Sequence, residues 1–272
     1  MIAEFPVPPA RSTGSDFARL SKKITDSGLM NRRPGYYTAR VTGVATLYAG
    51  GLAAFVLIGA SWWTLAVAAV LAIAFGQVAL VAHDIAHRQV FRRRRASEAS
   101  GRIHVAGVRA LANPSLRNRP AEGILLFGHF ACYLTALFLM LPPGMAVAFL
   151  AVHQCLFGLY LGSVFAPNHK GMPVLTGKDR PDFLRRQILT SRNVRGGRLT
   201  DVVLGGLNHQ IEHHLFPSMP SPNLRKAQII VRRHCEELGI AYLETGLAVS
   251  YRQALRSLHH AGAPLRRTKA AA

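Results

Sequence analysis

The segment "LNHQIEHHLFPSMP", residues 207–220, sets Gln210, His213 and His214 at i, i+3 and i+4, with His209 one residue before them. On a helix those offsets put the donors along one face, and His209 can join through its i+4 relation to His213. A second pair, His83 and His87, recurs at i, i+4 in "VAHDIAHRQVF", and a third segment, "SVFAPNHKGMP", carries Asn168 and His169. Neutral imidazole suits iron, zinc or copper, so these groups are candidate metal ligands. With 12 histidines in 272 residues, an HxxxH pair arises by chance about 0.5 times. Spacing alone therefore decides little, and the placement of the segments matters more.

Hydrophobic residues make up 50% of the chain and charged residues 17%. The apolar content is concentrated in four runs, 41–60, 62–82, 123–141 and 145–166, none of which contains Asp, Glu, Lys or Arg. Each is close to the roughly 20 residues that a helix needs to cross a hydrocarbon core of about 30 Å. The first two are separated by Ser61 and the last two by "PPG", so they predict two tight hairpins. Trp62 and Trp63 belong at the membrane–water interface, where indole rings settle. Lys22, Lys23, Arg32, Arg33 and Arg40 precede the first run, "FRRRRA" follows the second, Arg117 and Arg119 precede the third, and Lys170 follows the fourth. The positive-inside rule then places both termini and the central connection in the cytoplasm, and the expected location is a bacterial inner (plasma) membrane. The expected fold is an all-α membrane protein. It has four transmembrane helices as two hairpins and a cytoplasmic helical cap from 1–40, 83–122 and 167–272, forming a single domain over 1–272. All three histidine segments fall at one depth on one side of it.

The 33 Lys and Arg against 13 Asp and Glu give a net charge of +20. Flanking membrane spans, this charge points to anionic lipid headgroups, and no nucleic-acid motif accompanies it. The three cysteines have no metal-type spacing and imply no disulfide framework. In "STGSDFARLSKKITDSGL", Phe17, Leu20 and Ile24 recur at helical spacing. That helix either lies on the inner membrane surface or packs on the cap. "TDVVLGGLNHQIEHHLF" suggests one helix starting at Thr200 or Asp201 and stopping at Pro217. "SPNLRKAQIIVRRHCEELG" and "VSYRQALRSLHHAG" suggest two more, and "APLRRTKAAA" a disordered tail. His104, His234, His259 and His260 read as surface residues, with His104 also a marginal ligand. His129 and His153, inside spans, read as hydrogen-bonded packing residues facing the bundle interior.

"HDIAH" at the end of a span, "NHKGMP" after the last one, "RRQILTSRNV" and "NHQIEHHLFPSMP" together resemble the integral membrane fatty acid desaturases of the bacterial acyl-lipid or acyl-CoA type. The resemblance extends over nearly the whole chain. It implies a di-iron enzyme that uses O2 and two electrons to introduce a double bond into an acyl chain. His83, His87, His169, His213, His214 and Gln210 would be the metal ligands, with Asn168, His209 and His104 as weaker candidates. Asp84 and Glu212 would orient imidazoles. It also implies an acyl-CoA or acyl-lipid substrate, surrounding membrane lipids, and a separate electron donor such as an acidic ferredoxin with its reductase.

The departure from the family is specific. Its members carry an HxxHH box between the two hairpins, whereas the connection "HRQVFRRRRASEASGRIHVAGVRALANPSLRNRPAEG" holds only His104 after His87. A gap between His104 and Val105 would explain both the shortness of the connection and the missing box. The alternatives are therefore an internally deleted, catalytically inactive desaturase-like membrane protein, or a hydroxylase or ketolase built on similar histidine boxes.

Overall fold

The computed structural model describes residues 15–91, 119–173 and 181–263. His104, the arginine run of the central connection and the tail from Pro264 lie outside the described residues. The chain divides into two compact units, one of residues 34–161 and the other of residues up to Arg33 with those from Gly162 onward.

In the first unit, α2 (Pro34–Ile58) and α3 (Thr64–Ala86) form one hairpin. The helices α4 (Arg119–Met140) and α5 (Pro143–His169) follow, and α5 gives its last turns to the other unit. All four are long and apolar enough to cross a membrane, and the chain is an all-α membrane protein. Pro34 opens α2 where its missing N–H has no partner to lose, so the helix starts seven residues before the apolar run and carries Tyr36, Tyr37 and Arg40 on it. The Thr64 hydroxyl donates to the Ser61 carbonyl at 2.6 Å and closes the turn into α3. Trp62 and Trp63 in that turn are 64% and 75% exposed, as interfacial indoles should be. Phe55, Val67, Ala68, Leu71, Leu137, Leu141, Ala146 and Phe149 make the unit's core. Gly76 is required there, because a Cβ would come within 2.0 Å of the Tyr160 ring. His153 is buried between Tyr133 and Gln154, whose polar atoms lie 3.4 and 3.3 Å from its Nδ1. His129 is instead exposed on α4 and stacks on the Tyr133 ring.

The other unit contains α1 (Asp16–Asp26), the end of α5, α6 (Phe183–Leu189), β1 (Asn193–Arg195), α7 (Arg198–Val203), α8 (Gln210–Leu215), α9 (Ser221–Glu237), β2 (Glu244–Gly246) and α10 (Leu247–Ala261). Leu20 and Ile24 of α1 are fully buried with Leu184, Ile188, Ile211, Leu224 and Val231. The N-terminal helix therefore packs on this unit, which decides between its two expected placements. Ser15 caps it, accepting from Ala18 N–H at 3.1 Å. The buried Asp16 pairs with Arg185 at 2.9 Å. β1 and β2 form a short parallel pair, Asn193 opposite Glu244, within this otherwise helical unit. One expectation is corrected. His234 is buried rather than superficial, because its Nε2 donates to the Asp16 carbonyl at 3.0 Å.

Candidate metal-binding site

In the 34–161 unit the histidines stand at the end of α3. Their rings are 4.6 Å apart between centroids. His87 is the C-cap, and the helix stops in a Schellman turn: Arg88 N–H reaches Ile85 O at 2.9 Å and Gln89 N–H reaches Asp84 O at 2.9 Å. Arg88 sits at φ 58 to make that turn, a strained position for a residue with a side chain. Gln89, fully buried, accepts from the Tyr37 hydroxyl at 2.9 Å, which ties the turn back to α2. Asp84 is also buried. One of its oxygens accepts from Arg40 at 3.3 Å and the other lies 3.7 Å from His83 Nδ1. Burial and the neighbouring His83 hold the His87 imidazole below its ordinary pKa, which keeps it neutral and able to bind a metal.

The second group is built differently from the expected single helix. Gly205 and Gly206 take φ 64 and φ 80, end α7 and turn the chain, so that α8 begins only at Gln210. A Cβ on Gly206 would also approach the Ser221 Cβ to 3.0 Å. His209 is the N-cap of α8 and keeps its i+4 relation through the bond from His213 N–H to His209 O, 3.0 Å. Asp201 is thus not the start of the histidine helix. Although burial alone would raise its pKa, bonds from His209 Nε2 (3.2 Å), Arg225 (2.7 Å at each oxygen) and Asn208 (2.9 Å) hold its carboxyl well below the ordinary carboxylate range.

Around α8 the amides and rings interlock. Asn168 Nδ2 donates to Leu207 O at 2.9 Å and to Gln210 Oε1 at 3.4 Å, and Gln210 Nε2 donates to His214 Nε2 at 2.8 Å. The exposed His169 stacks on His214 with centroids 5.0 Å apart, and His213, 3% exposed, follows at 6.2 Å from His214. With the His214 Nε2 lone pair taken by Gln210, a metal at that nitrogen requires the amide to turn.

Several residues that support this group carry no periodic signal in the sequence. Asn193, fully buried, donates to Glu212 Oε2 and accepts from Ile211 N–H, at 2.6 and 2.9 Å. Tyr242 donates to the other Glu212 oxygen at 2.7 Å. Glu212 is thereby joined to Asn193 and Tyr242. Burial pushes its carboxyl above the ordinary range, while Tyr242 and Asn193 pull it back. Arg192, 1% exposed, donates to Pro167 O at 2.6 Å, to Lys170 O and to Gln253 Oε1, and its N–H reaches Asn168 O at 3.1 Å. It therefore clamps the turn that carries Asn168 and His169.

The donor set is imidazole and carboxamide, which suits iron and offers no thiolate to favour softer ions. Among the described residues, the buried atoms of this group without a hydrogen-bond partner include Asn168 Oδ1 and His209 Nδ1. Such orphaned lone pairs are costly unless an ion or water meets them. The residues of this group thus fit a bound iron.

A model described as "Fatty acid desaturase" matches residues 96–246, which include His169, Gln210, His213 and His214 but not His83 or His87. An acyl-lipid (9-3)-desaturase of Physcomitrium patens is 36% identical over 142 residues, 50% of this chain and 26% of that protein. The Delta(6)-fatty-acid desaturase fat-3 of Caenorhabditis elegans is 35% identical over 144 residues, 52% and 32% respectively. The Delta(5) fatty acid desaturase fat-4 of the same organism is 34% identical over 124 residues, 45% and 28%. The chain spans only 26% to 32% of the length of these curated relatives.

Proposed function

Because the chain belongs to the fatty acid desaturase family, we propose that it introduces a double bond into a membrane-borne acyl chain, using O2 and histidine-bound iron. The observation that carries this reading is the gathering of Asn168, His169, Gln210, His213 and His214 around α8, with an orphaned amide oxygen among them. An unactivated methylene C–H bond is too strong for acid–base chemistry, so bound iron with O2 would supply the oxidising power. His83 and His87 would hold metal in one unit, and His169, His213 and His214 in the other. Gln210 is a further donor, and Asn168 and His209 are weaker ones. Asp84, through its contact with His83, and Glu212, through Asn193 and Tyr242, act as positioning residues. The acyl group would be carried on a lipid or on CoA. The acyl-lipid name of the Physcomitrium relative makes the lipid the first substrate to test. Electrons would come from a separate acidic carrier of the ferredoxin kind with its reductase, drawn to the +20 chain. The histidines would face the cytoplasm, in the inner membrane of a bacterium.

One observation favours a second reading. Between His87 and Gly123 the sequence holds no HxxHH, so the ligand set lacks the three histidines that this box gives other members of the family. The chain would then be an inactive, internally deleted relative. Metal analysis of the purified full-length protein separates the two: about two irons per chain support the enzyme, and none sinks catalysis by this chain. Sequencing the gene across the codons for His104 and Val105 tests the gap directly.

A further inference from the structure

The helix α10 exposes an apolar line that its own unit leaves uncovered. Leu247, Leu255 and Leu258 are 39%, 66% and 50% exposed. With Tyr251 they recur at i, i+4, i+8 and i+11, a single stripe along the helix. One position behind that stripe, Ser250 and Ala254 face the interior of the unit at 0% and 3% exposure. One position ahead, Arg252, Arg256 and His259 are exposed. Around the helix the order is therefore protein interior, apolar surface, basic surface.

The same helix is fastened to the end of a membrane span. Pro167 lies inside α5 and has no N–H, so the carbonyl of Ser163, four residues earlier, loses its helical donor. The Tyr251 hydroxyl donates to that carbonyl at 2.9 Å. Tyr251 belongs to the apolar stripe, so the stripe passes beside the last turns of α5.

We propose that α10 is an interfacial anchor: its leucine stripe enters the acyl layer next to α5, and Arg252 and Arg256 bind the phosphates of anionic lipids. A leucine stripe bordered by arginines matches the boundary between acyl chains and anionic headgroups. The net charge of +20, and Arg266, Arg267 and Lys269 following in sequence, add charge complementarity to such a surface. The proposal rests on α5 spanning the membrane and stands apart from desaturation.

The test uses the full-length protein in lipid nanodiscs, with Trp62→Phe and Trp63→Phe to silence the native indoles and Leu258→Trp as reporter. The expected result is blue-shifted emission, quenched by lipids brominated on their acyl chains. An arginine near an anionic surface favours binding about fivefold, so brominated phosphatidylglycerol should quench at least about twice as strongly as the same fraction of brominated phosphatidylcholine. Arg252→Glu with Arg256→Glu should remove that excess. Leu255→Trp repeats the measurement should Leu258→Trp fail to fold. Water-like emission quenched by aqueous iodide overturns the proposal, as does equal quenching by both lipids. Protection from both bromine and iodide also overturns it, showing that a second copy or another protein covers the stripe.

Discussion

The two units hold their histidines by different means. In the 34–161 unit, His83 and His87 ride on α3, 23 residues of continuous backbone ladder, to which Asp84 with Arg40 and Gln89 with Tyr37 add side-chain support among the described residues. In the other unit, α8 is only six residues long, too short to hold its own geometry. A network of side chains fixes it instead, with the buried Asn193 and the Tyr242 hydroxyl on Glu212, Asp201 on the His209 cap with Arg225 behind it, and the buried Arg192 on the turn of Asn168 and His169. The contrast teaches that where the backbone cannot set the position of a ligand, polar side chains must. Those side chains then become as necessary as the ligands.

The largest test of this contrast removes a ligand from each unit. His213→Ala and His83→Ala should each lower new double bonds by about 100-fold or more in the lipids of a host lacking the activity, read by gas chromatography of acyl esters. Loss with one variant and full product with the other would break the picture of two groups serving one chemistry. Next in size are the supports. Asn193→Ala removes one donor from the buried Glu212 carboxylate and the acceptor of the Ile211 N–H and should cost about 3 kcal/mol, with a 10- to 100-fold loss of iron affinity. Asp84→Asn leaves the buried Arg40 unpaired and should also destabilise, but beside the long α3 it should lower iron affinity less than Asn193→Ala does. Iron content of the two variants compares them directly, and equal losses would refute the contrast.

What the sequence disclosed follows the same division. The spans and the helices α1, α9 and α10 were legible because apolar periodicity and length encode them. The histidine groups were legible as types and spacings. The break at Gly205 and Gly206 was not, since the apolar pattern runs across it and a pair of glycines within a helical pattern marks only a weak interruption. Asn193, Tyr242, Arg192 and Arg225 were invisible as supports, because a buried polar residue looks like any surface polar residue until its partners, distant in sequence, are known. "RRQILTSRNV" carries a family resemblance in its residue order alone, and the structure supplies a physical role for its Arg192 and Asn193.

The Asp201 cluster gives a pH-dependent version of the comparison. Its carboxyl is held below the ordinary range by His209, Arg225 and Asn208 against the opposing effect of burial. A depressed folded pKa means that the stabilisation is present above the unfolded value of about 3.9 and is lost as pH falls through that value toward the folded one. Asp201→Asn should therefore destabilise the full-length protein by on the order of 2 kcal/mol at pH 7. The gap between wild type and variant should close between about pH 5 and pH 2. Unfolding midpoints across that range measure it, and a gap independent of pH would show that Asp201 acts by shape alone.

The smallest effect isolates the principle most directly, because one bond there is a side-chain replacement for a backbone one. Pro167 denies Ser163 O its helical donor and Tyr251 provides a substitute at 2.9 Å. Tyr251→Phe alone should cost about 1 kcal/mol, since the carbonyl is left without its donor at the end of a membrane helix. Pro167→Ala returns an N–H to the helix, and in that background Tyr251→Phe should be nearly neutral. The double-mutant cycle should then show a coupling of about 1 kcal/mol in unfolding free energy. Additive effects of the two substitutions would mean that the Tyr251 hydroxyl does not stand in for the missing backbone donor.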